Sequence, residues 1–289
     1  MPQALLPVRS RPLQKAERPR MLMWSQRSRA KIMRASGFSL VEIAVVLVII
    51  SILIAMVAVP LATQLDQQRT VETQKQQEII KEAIYGFAMA NGRLPCPATS
   101  GGTESLVSAG QCTTDSGFVP GITLGLSGLD SLGFVVDGWR DGQDARRMRY
   151  AVRSVSITSG TPAQCTFTPT PLTSVLTTSD RMRTATMDCL SQAAVGMLTV
   201  NTTIITGTTC TASVLTTKAP FVIFSLGKNG RTPVTSTDDE FKNLLPNAVT
   251  FISNTPTVAA SCAGEFDDIV TWGSLNTLFA RMVQAGKLP

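Results

Sequence analysis

The 289-residue chain contains no histidine. That absence removes Ser-His-Asp and Cys-His nucleophilic sites and His-ligated zinc, and no other nucleophile stands beside an evident base. A basic surface is missing from the body of the protein too. The net charge of +6 invites a nucleic-acid reading, but nine of the 26 Lys and Arg residues lie within residues 1–37, alongside one acid, Glu17. The remainder carries 17 bases against 19 acids, a net charge of −2. Phosphate binding needs its cations on the folded domain, so no nucleic-acid partner is expected. There is no internal repeat, and the Gly-Lys pair at 227–228 lacks the frame of a phosphate-binding P-loop. With 44% hydrophobic and 16% charged residues, the chain is nonetheless rich enough in apolar side chains to build a packed core.

What the chain does have is a long hydrophobic run. Phe38 to Leu61 is 24 residues interrupted only by Ser39, Glu42, Ser51 and Pro60. As a helix it measures about 36 Å, enough for one crossing of a hydrocarbon layer about 30 Å thick. Arg27, Arg29, Lys31 and Arg34 precede it and no base follows until Arg69, which puts the N-terminus in the cytoplasm and the large domain on the exported side. A secretory signal has a shorter core and a small-residue cleavage ending, both missing here. A plain signal anchor fits the length but leaves Glu42 unexplained. A carboxylate in lipid costs about 2.5 to 3.5 kcal/mol and therefore points to a function. Ser39-x-x-Glu42 also reads as a capping box at a helix start, which is compatible with a second role.

All six cysteines, Cys96, Cys112, Cys165, Cys189, Cys210 and Cys262, lie beyond this run. An even count on the exported side suggests up to three disulfides, which sequence leaves open among fifteen pairings; Cys96 with Cys112 is the one specific pairing expected. Buried free thiols are the alternative.

The segment Gly37-Phe38-Ser39-Leu40-Val41-Glu42 resembles the processing site of type IV prepilins and type II secretion pseudopilins, where a small residue, an opening Phe and a Glu five residues in follow a basic leader. The resemblance implies cleavage between Gly37 and Phe38 by a membrane prepilin peptidase, N-methylation of Phe38, and Glu42 as an assembly residue. The chemistry is coherent. Gly37 has no side chain to obstruct an extended bond in a peptidase. The new Phe38 amine and the buried Glu42 carboxylate of a neighbouring subunit would neutralise each other and set the axial register. A 37-residue leader is long for the family, whereas translation from Met33 would give Met-Arg-Ala-Ser-Gly. Residues 1–32, rich in Pro and Arg, read as a disordered arm.

From Leu61 to Asn91 the composition stays helical, with an apolar stripe at Ile79, Ile80, Ala83, Ile84, Phe87 and Ala88. Pro60 predicts a kink or local break, and Asn91-Gly92 followed by Pro95 and Pro97 predicts the end. Phe38 to Ala90 as one helix would be about 80 Å long. Beyond it, strands are expected at Gly133–Val136, Met148–Val155, Val195–Ile205, Pro220–Leu226, Ala248–Ile252 and Ile269–Trp272. The Ser/Thr-rich stretch from about 155 to 217 reads as strands, exposed loops or both; its Thr residues suit a strand face better than an adhesive one. Leu275, Leu278, Phe279 and Met282 predict a short amphipathic helix.

Two acidic places suggest metal. Asp137-Gly-Trp-Arg-Asp141-Gly-Gln-Asp144 lacks the ligand alternation of an EF-hand and reads as a hairpin loop. An Asp-x-Trp segment before Arg149-Tyr-Ala-Val152 is also similar to the loop after the helical spine of major pseudopilins. The second place is Ser225-Leu-Gly-Lys-Asn-Gly230 with Asp267 and Asp268, which resembles the turn and Asp segment that hold calcium in major pseudopilins. Here the two halves are more than thirty residues apart, with Cys262 between them. A solvated acidic turn is the alternative.

The expected fold is α+β and pilin-like: a long N-terminal hydrophobic helix, its first half transmembrane, packed on a C-terminal antiparallel β-rich globular domain. The segments are a leader at 1–37, a transmembrane and assembly segment at 38–61, an amphipathic outer helix at 62–92 and an exported domain at 93–289. The expected role is structural and not enzymatic, as a minor subunit of a type IV pilus-like or type II secretion pseudopilus filament. Its partners would be other pilin or pseudopilin subunits, the prepilin peptidase and the bacterial inner membrane, with a periplasmic globular domain; no cofactor is required, and calcium is an optional ligand. The alternative is a bitopic inner-membrane protein whose exported β domain acts as enzyme, sensor or binding module.

Overall fold

The structure is a computed structural model and describes residues 37, 39–107, 111–139, 146–153, 174–191, 196–230, 238–246, 248–257 and 262–288, without the side chains of 56–62, 186–188 and 191. The chain divides into two compact units, residues 1–54 and 55–289.

In the first unit the described residues form the beginning of α1 (Leu40–Asn91). Every large apolar side chain from Leu40 to Ile54 is exposed, Leu40 at 89% and Ile54 at 62%. A helix that is apolar all round is at home only in lipid or among other helices. Its one internal hydroxyl, Ser51 Oγ, donates to the Leu47 carbonyl at 2.7 Å and so needs no water. No helix among the described residues is long and apolar enough to cross a membrane. At Pro60 the expected break does not occur, because α1 continues through it to Asn91. A proline in a helix forfeits one backbone hydrogen bond, which flanking turns can tolerate.

In the second unit α1 buries Thr73, Gln77, Ile80, Ile84 and Ala88, a stripe of helical period. Ile79, expected on that stripe, points outward at 51% exposure. The helix ends where Gly92 takes φ +69° and its N–H donates to the Ala88 carbonyl at 2.8 Å. Beyond it Arg93 pairs with the Glu104 carboxylate through two 2.7 Å hydrogen bonds, and Cys96 is bonded to Cys112.

The stripe packs on a four-stranded antiparallel sheet of order β1-β2-β5-β7, comprising β1 (Ser116–Phe118), β2 (Arg149–Val152), β5 (Phe221–Ser225) and β7 (Ile269–Trp272). β5 is buried on both faces, which is why its sequence, Phe-Val-Ile-Phe-Ser, does not alternate. Phe221 and Ile223 face the cluster containing Ile80, Ile84, Tyr85 and Tyr150; Val222 and Phe224 face a second cluster with Leu198, Val200 and Phe251. That second cluster belongs to a second sheet of order β4-β3-β6, with β3 (Leu198–Thr206), β4 (Thr209–Ala219) and β6 (Thr250–Ile252). β3 and β4 form a hairpin around Gly207 at φ +63°, while β3 and β6 run parallel.

The C-terminal helix α4 (Leu275–Gln284) buries Leu275, Leu278, Phe279 and Met282. It is fixed to α1 by the Ser274 N–H donating to Tyr85 Oη at 2.9 Å and by Arg281, which pairs with Glu82 at 2.6 Å and lies 4.8 Å from the Tyr85 ring centroid. Two short helices occupy places not anticipated as helical. α2 (Arg181–Ser191) lies inside the Ser/Thr-rich stretch, and α3 (Asp239–Leu244) precedes β6. The Gly133–Val136 segment makes isolated bridges, Leu129 with Val135 and Val136 with Arg147, and no continuous strand.

Candidate functional site

At the start of α1, Gly37 is exposed and a Cβ placed on it would meet nothing within 4 Å. Phe38 lies outside the described residues. Ser39 caps the helix: its Oγ accepts from the Glu42 N–H at 3.1 Å and its carbonyl from the Ile43 N–H at 3.2 Å. This is one half of a capping box, and it leaves the Glu42 side chain exposed in the first turn. The Glu42 carboxylate has no hydrogen-bond or ion-pair partner among the described residues. An exposed acid on an otherwise apolar surface is the arrangement that a cation from outside the chain would complete.

A second constellation lies in the globular domain. The turn after β5 and the segment before β7 come together despite their separation in sequence. Carboxylate oxygens of Asp267, Asp268 and Glu240 all lie within 4.8 Å of one another. The Asn229 N–H donates to Asp267 Oδ2 at 3.0 Å, Asn229 Nδ2 to Glu240 Oε2 at 2.9 Å, and the Asp267 N–H to Glu240 Oε1 at 2.6 Å. Asn243 Nδ2 donates to Asp268 Oδ2 at 2.8 Å. Gly227 adopts φ +60°, and a Cβ there would collide with the Asp267 carboxylate and carbonyl, so the turn passes over Asp267 only because this residue is glycine.

The electrostatics of the cluster are unfavourable as they stand. Burial, reinforced by the charges of Glu240 and Glu265 against the opposing Asn229 hydrogen bond, pushes the Asp267 carboxyl up to about 7. Burial likewise drives Asp268 well above the usual carboxylate range, aided by Glu240 and Asp267. Two buried oxygens, Asp267 Oδ1 and Asn229 Oδ1, accept no hydrogen bond among the described residues. Orphaned buried acceptors beside three carboxylates match what a hard cation needs, since two oxygens each about 2.4 Å from one ion are at most about 4.8 Å apart.

The remaining residues singled out in the sequence are spread through the domain. Asp137 is buried and accepts from Ser225 Oγ at 2.7 Å and from the Trp139 N–H at 3.0 Å. Asp141 and Asp144 lie outside the described residues. Cys210 is bonded to Cys262, Cys189 is also disulfide-bonded, and Cys165 lies outside the described residues.

Residues 32–58 match the family model of the prokaryotic N-terminal methylation motif. The chain carries the signature of type IV prepilins and pseudopilins. No curated protein and no solved structure matches it. The match spans Gly37, Phe38 and Glu42 and the apolar first part of α1, and it supports a type IV pilin-like or pseudopilin-like protein. In this prepilin-like chain the acidic cluster has two members that sequence reading did not single out as ligands. Asn229 was legible, because it stands in the quoted Ser225–Gly230 turn. Glu240 was not, because it enters from α3, a helix with no sequence motif of its own.

Proposed function

We propose that the protein is a minor structural subunit of a type IV pilus-like or type II secretion pseudopilus filament. It is held in the bacterial inner membrane before assembly, with its N-terminus cytoplasmic and its globular domain periplasmic, and it performs no catalysis. The observation that carries this reading is the methylation motif at residues 32–58 leading directly into α1, whose described apolar side chains find no cover within their own unit. Neighbouring subunits and the membrane supply that cover. Cleavage after Gly37 by the prepilin peptidase would remove the whole excess of positive charge, leaving a net charge of −2, and create the Phe38 amine, which gives Glu42 of an adjacent subunit its partner. The mature N-terminus, read by mass spectrometry from the native host with and without its prepilin peptidase, tests this. Methylated Phe38 that disappears with the peptidase is the expected result, and an uncut chain in peptidase-positive cells refutes it.

Within the exported domain, Asp267, Asp268, Glu240 and Asn229 would hold a calcium ion. The donors are all oxygen, they carry up to three negative charges, and two of them lack any other partner. The ion would supply charge neutralisation at a cluster whose carboxylates otherwise resist ionisation together, and so would fix the turn after β5 to the segment before β7. Calorimetric titration of calcium into the full chain in detergent measures it; no heat of binding, with no change in thermal stability, would refute it.

A further inference from the structure

Glu240 reaches the acidic cluster from outside the β5 and β7 segments that supply the other donors. It sits on α3, which has six residues and cannot hold its own conformation in isolation. Its neighbours hold it. The Asp239 N–H donates to the Ala263 carbonyl at 3.2 Å, and the Asp239 carboxylate accepts from Thr203 Oγ1 at 2.6 Å and Asn254 Nδ2 at 2.9 Å. Asn243 brackets the backbone of Ile252, accepting its N–H at 2.7 Å and donating to its carbonyl at 3.1 Å. Asp238, the residue before α3, packs on Gly264, where a Cβ would stand 2.8 Å from the Asp238 carboxyl carbon. Glu240 is therefore placed by two grips on the preceding residues. One comes from Thr203 on β3, the other from Ala263 and Gly264.

Those two grips are joined by a covalent bond. Cys262 immediately precedes Ala263, and its disulfide partner Cys210 lies on β4 opposite Ile205, two residues from Thr203. The two cysteines are 52 residues apart in sequence, and their bond adds a covalent link to the hydrogen-bonded one that runs from Thr203 to Asn254 and from Thr257 to Gly264.

We propose that the Cys210–Cys262 disulfide is a positioning device for Glu240, so that the exported domain acquires its full calcium affinity only once this bond has formed. The inference rests on the calcium reading above. Bond formation joins the two sulfurs and passes two electrons and two protons to a disulfide-bearing oxidant of the exported compartment. The thiols themselves never touch the ion. They fix the frame from which one of its carboxylates projects, and outer contacts of that kind change metal affinity by about 10- to 100-fold.

The test uses the purified full chain in detergent and calcium itself, with affinity from calorimetry and calcium-dependent thermal stabilisation as a second readout. The double variant Cys210→Ser/Cys262→Ser should bind calcium about tenfold or more weakly. Thr203→Val, which leaves every cysteine in place, should weaken binding in the same direction. Glu240→Gln should weaken it at least as much as either, and Cys96→Ser/Cys112→Ser should bind as the parent does. If the parent chain takes up no calcium, the cation reading falls and this inference falls with it. If the parent binds but the Cys210/Cys262 and Thr203 variants bind equally tightly, the positioning role alone is overturned. Unchanged affinity in Glu240→Gln overturns it as well, by removing Glu240 from the ligands.

Discussion

Stripped of divalent cations, the protein should lose stability as pH rises from about 5 to 8, the reverse of ordinary acid denaturation. The Asp267 carboxyl is raised from its ordinary 3.8 to about 7, first by burial and then by Glu240 and Glu265. A carboxyl whose pKa is higher in the folded state keeps a proton there that the unfolded chain has already released. The folded state is therefore increasingly penalised between the two values, with no penalty below about 4 and the full one above about 7. Three pKa units correspond to about 4 kcal/mol, and solvent at this partly exposed group reduces that to about 2 kcal/mol. Asp268 is shifted in the same direction and adds to the slope. For a domain of this size the penalty is about 4 to 8 °C in Tm. Circular-dichroism melts of the full chain in detergent with EDTA, from pH 5 to 8, measure it; saturating calcium should flatten the profile, and Asp267→Asn should remove most of the slope. A Tm independent of pH in EDTA, or an Asp267→Asn profile parallel to the parent's, would refute the reasoning.

Three further perturbations follow from the packing. Arg147→Ala removes the guanidinium that meets the half-buried Asp130 carboxylate at 2.8 Å and lies 4.5 Å from the Phe134 ring centroid, leaving Asp130 the Leu132 and Phe134 N–H donors; urea denaturation should register a loss of about 1 to 3 kcal/mol. Gly227→Ala should cost about 2 kcal/mol or more and abolish the calcium-dependent rise in Tm, because the new methyl needs both a positive φ and the space of the Asp267 carboxylate. Loss of the Cys96–Cys112 bond, which spans 16 residues, should lower the unfolding free energy by about 3 kcal/mol in chemical denaturation, with calcium affinity unchanged.

Elements with a strong local signal were the legible ones. α4 followed from four apolar residues at helical spacing, and β7 from Ile-Val-Thr-Trp between turn residues. α2 was not legible, because a segment dense in Thr and Ser has no helical propensity to announce it; Met182, Ala185 and Leu190 become a buried helix face only against the core they join. β4 falls in the stretch read as strands, exposed loops or both, and was left open for a related reason. Its outer residues are exposed, so neither alternation nor apolar content marks it, and pairing with β3 alone defines it. Thr73 and Gln77 extend the buried stripe of α1 although both are polar, since Thr73 Oγ1 accepts from the Gly138 N–H at 3.0 Å and Gln77 Nε2 donates to the Ile269 carbonyl at 2.6 Å. Such partners lie 65 and 192 residues away and no local pattern encodes them.

The processing segment was determined by the sequence itself. The proposed cleavage and membrane insertion would act on an extended or singly helical stretch, so the motif at Gly37, Phe38 and Glu42 depends on consecutive residues and needs no tertiary fold to be recognised. The acidic cluster is the opposite case. Asp267 and Asp268 are adjacent in sequence, but only the folded domain carries Asn229 and Glu240 to them, buries Asp268 and Glu240, half-buries Asp267 and Asn229, and leaves two oxygens without donors among the described residues. A cation site of this kind is decided by desolvation and by distances between chain segments, and both exist only after the two sheets have packed together.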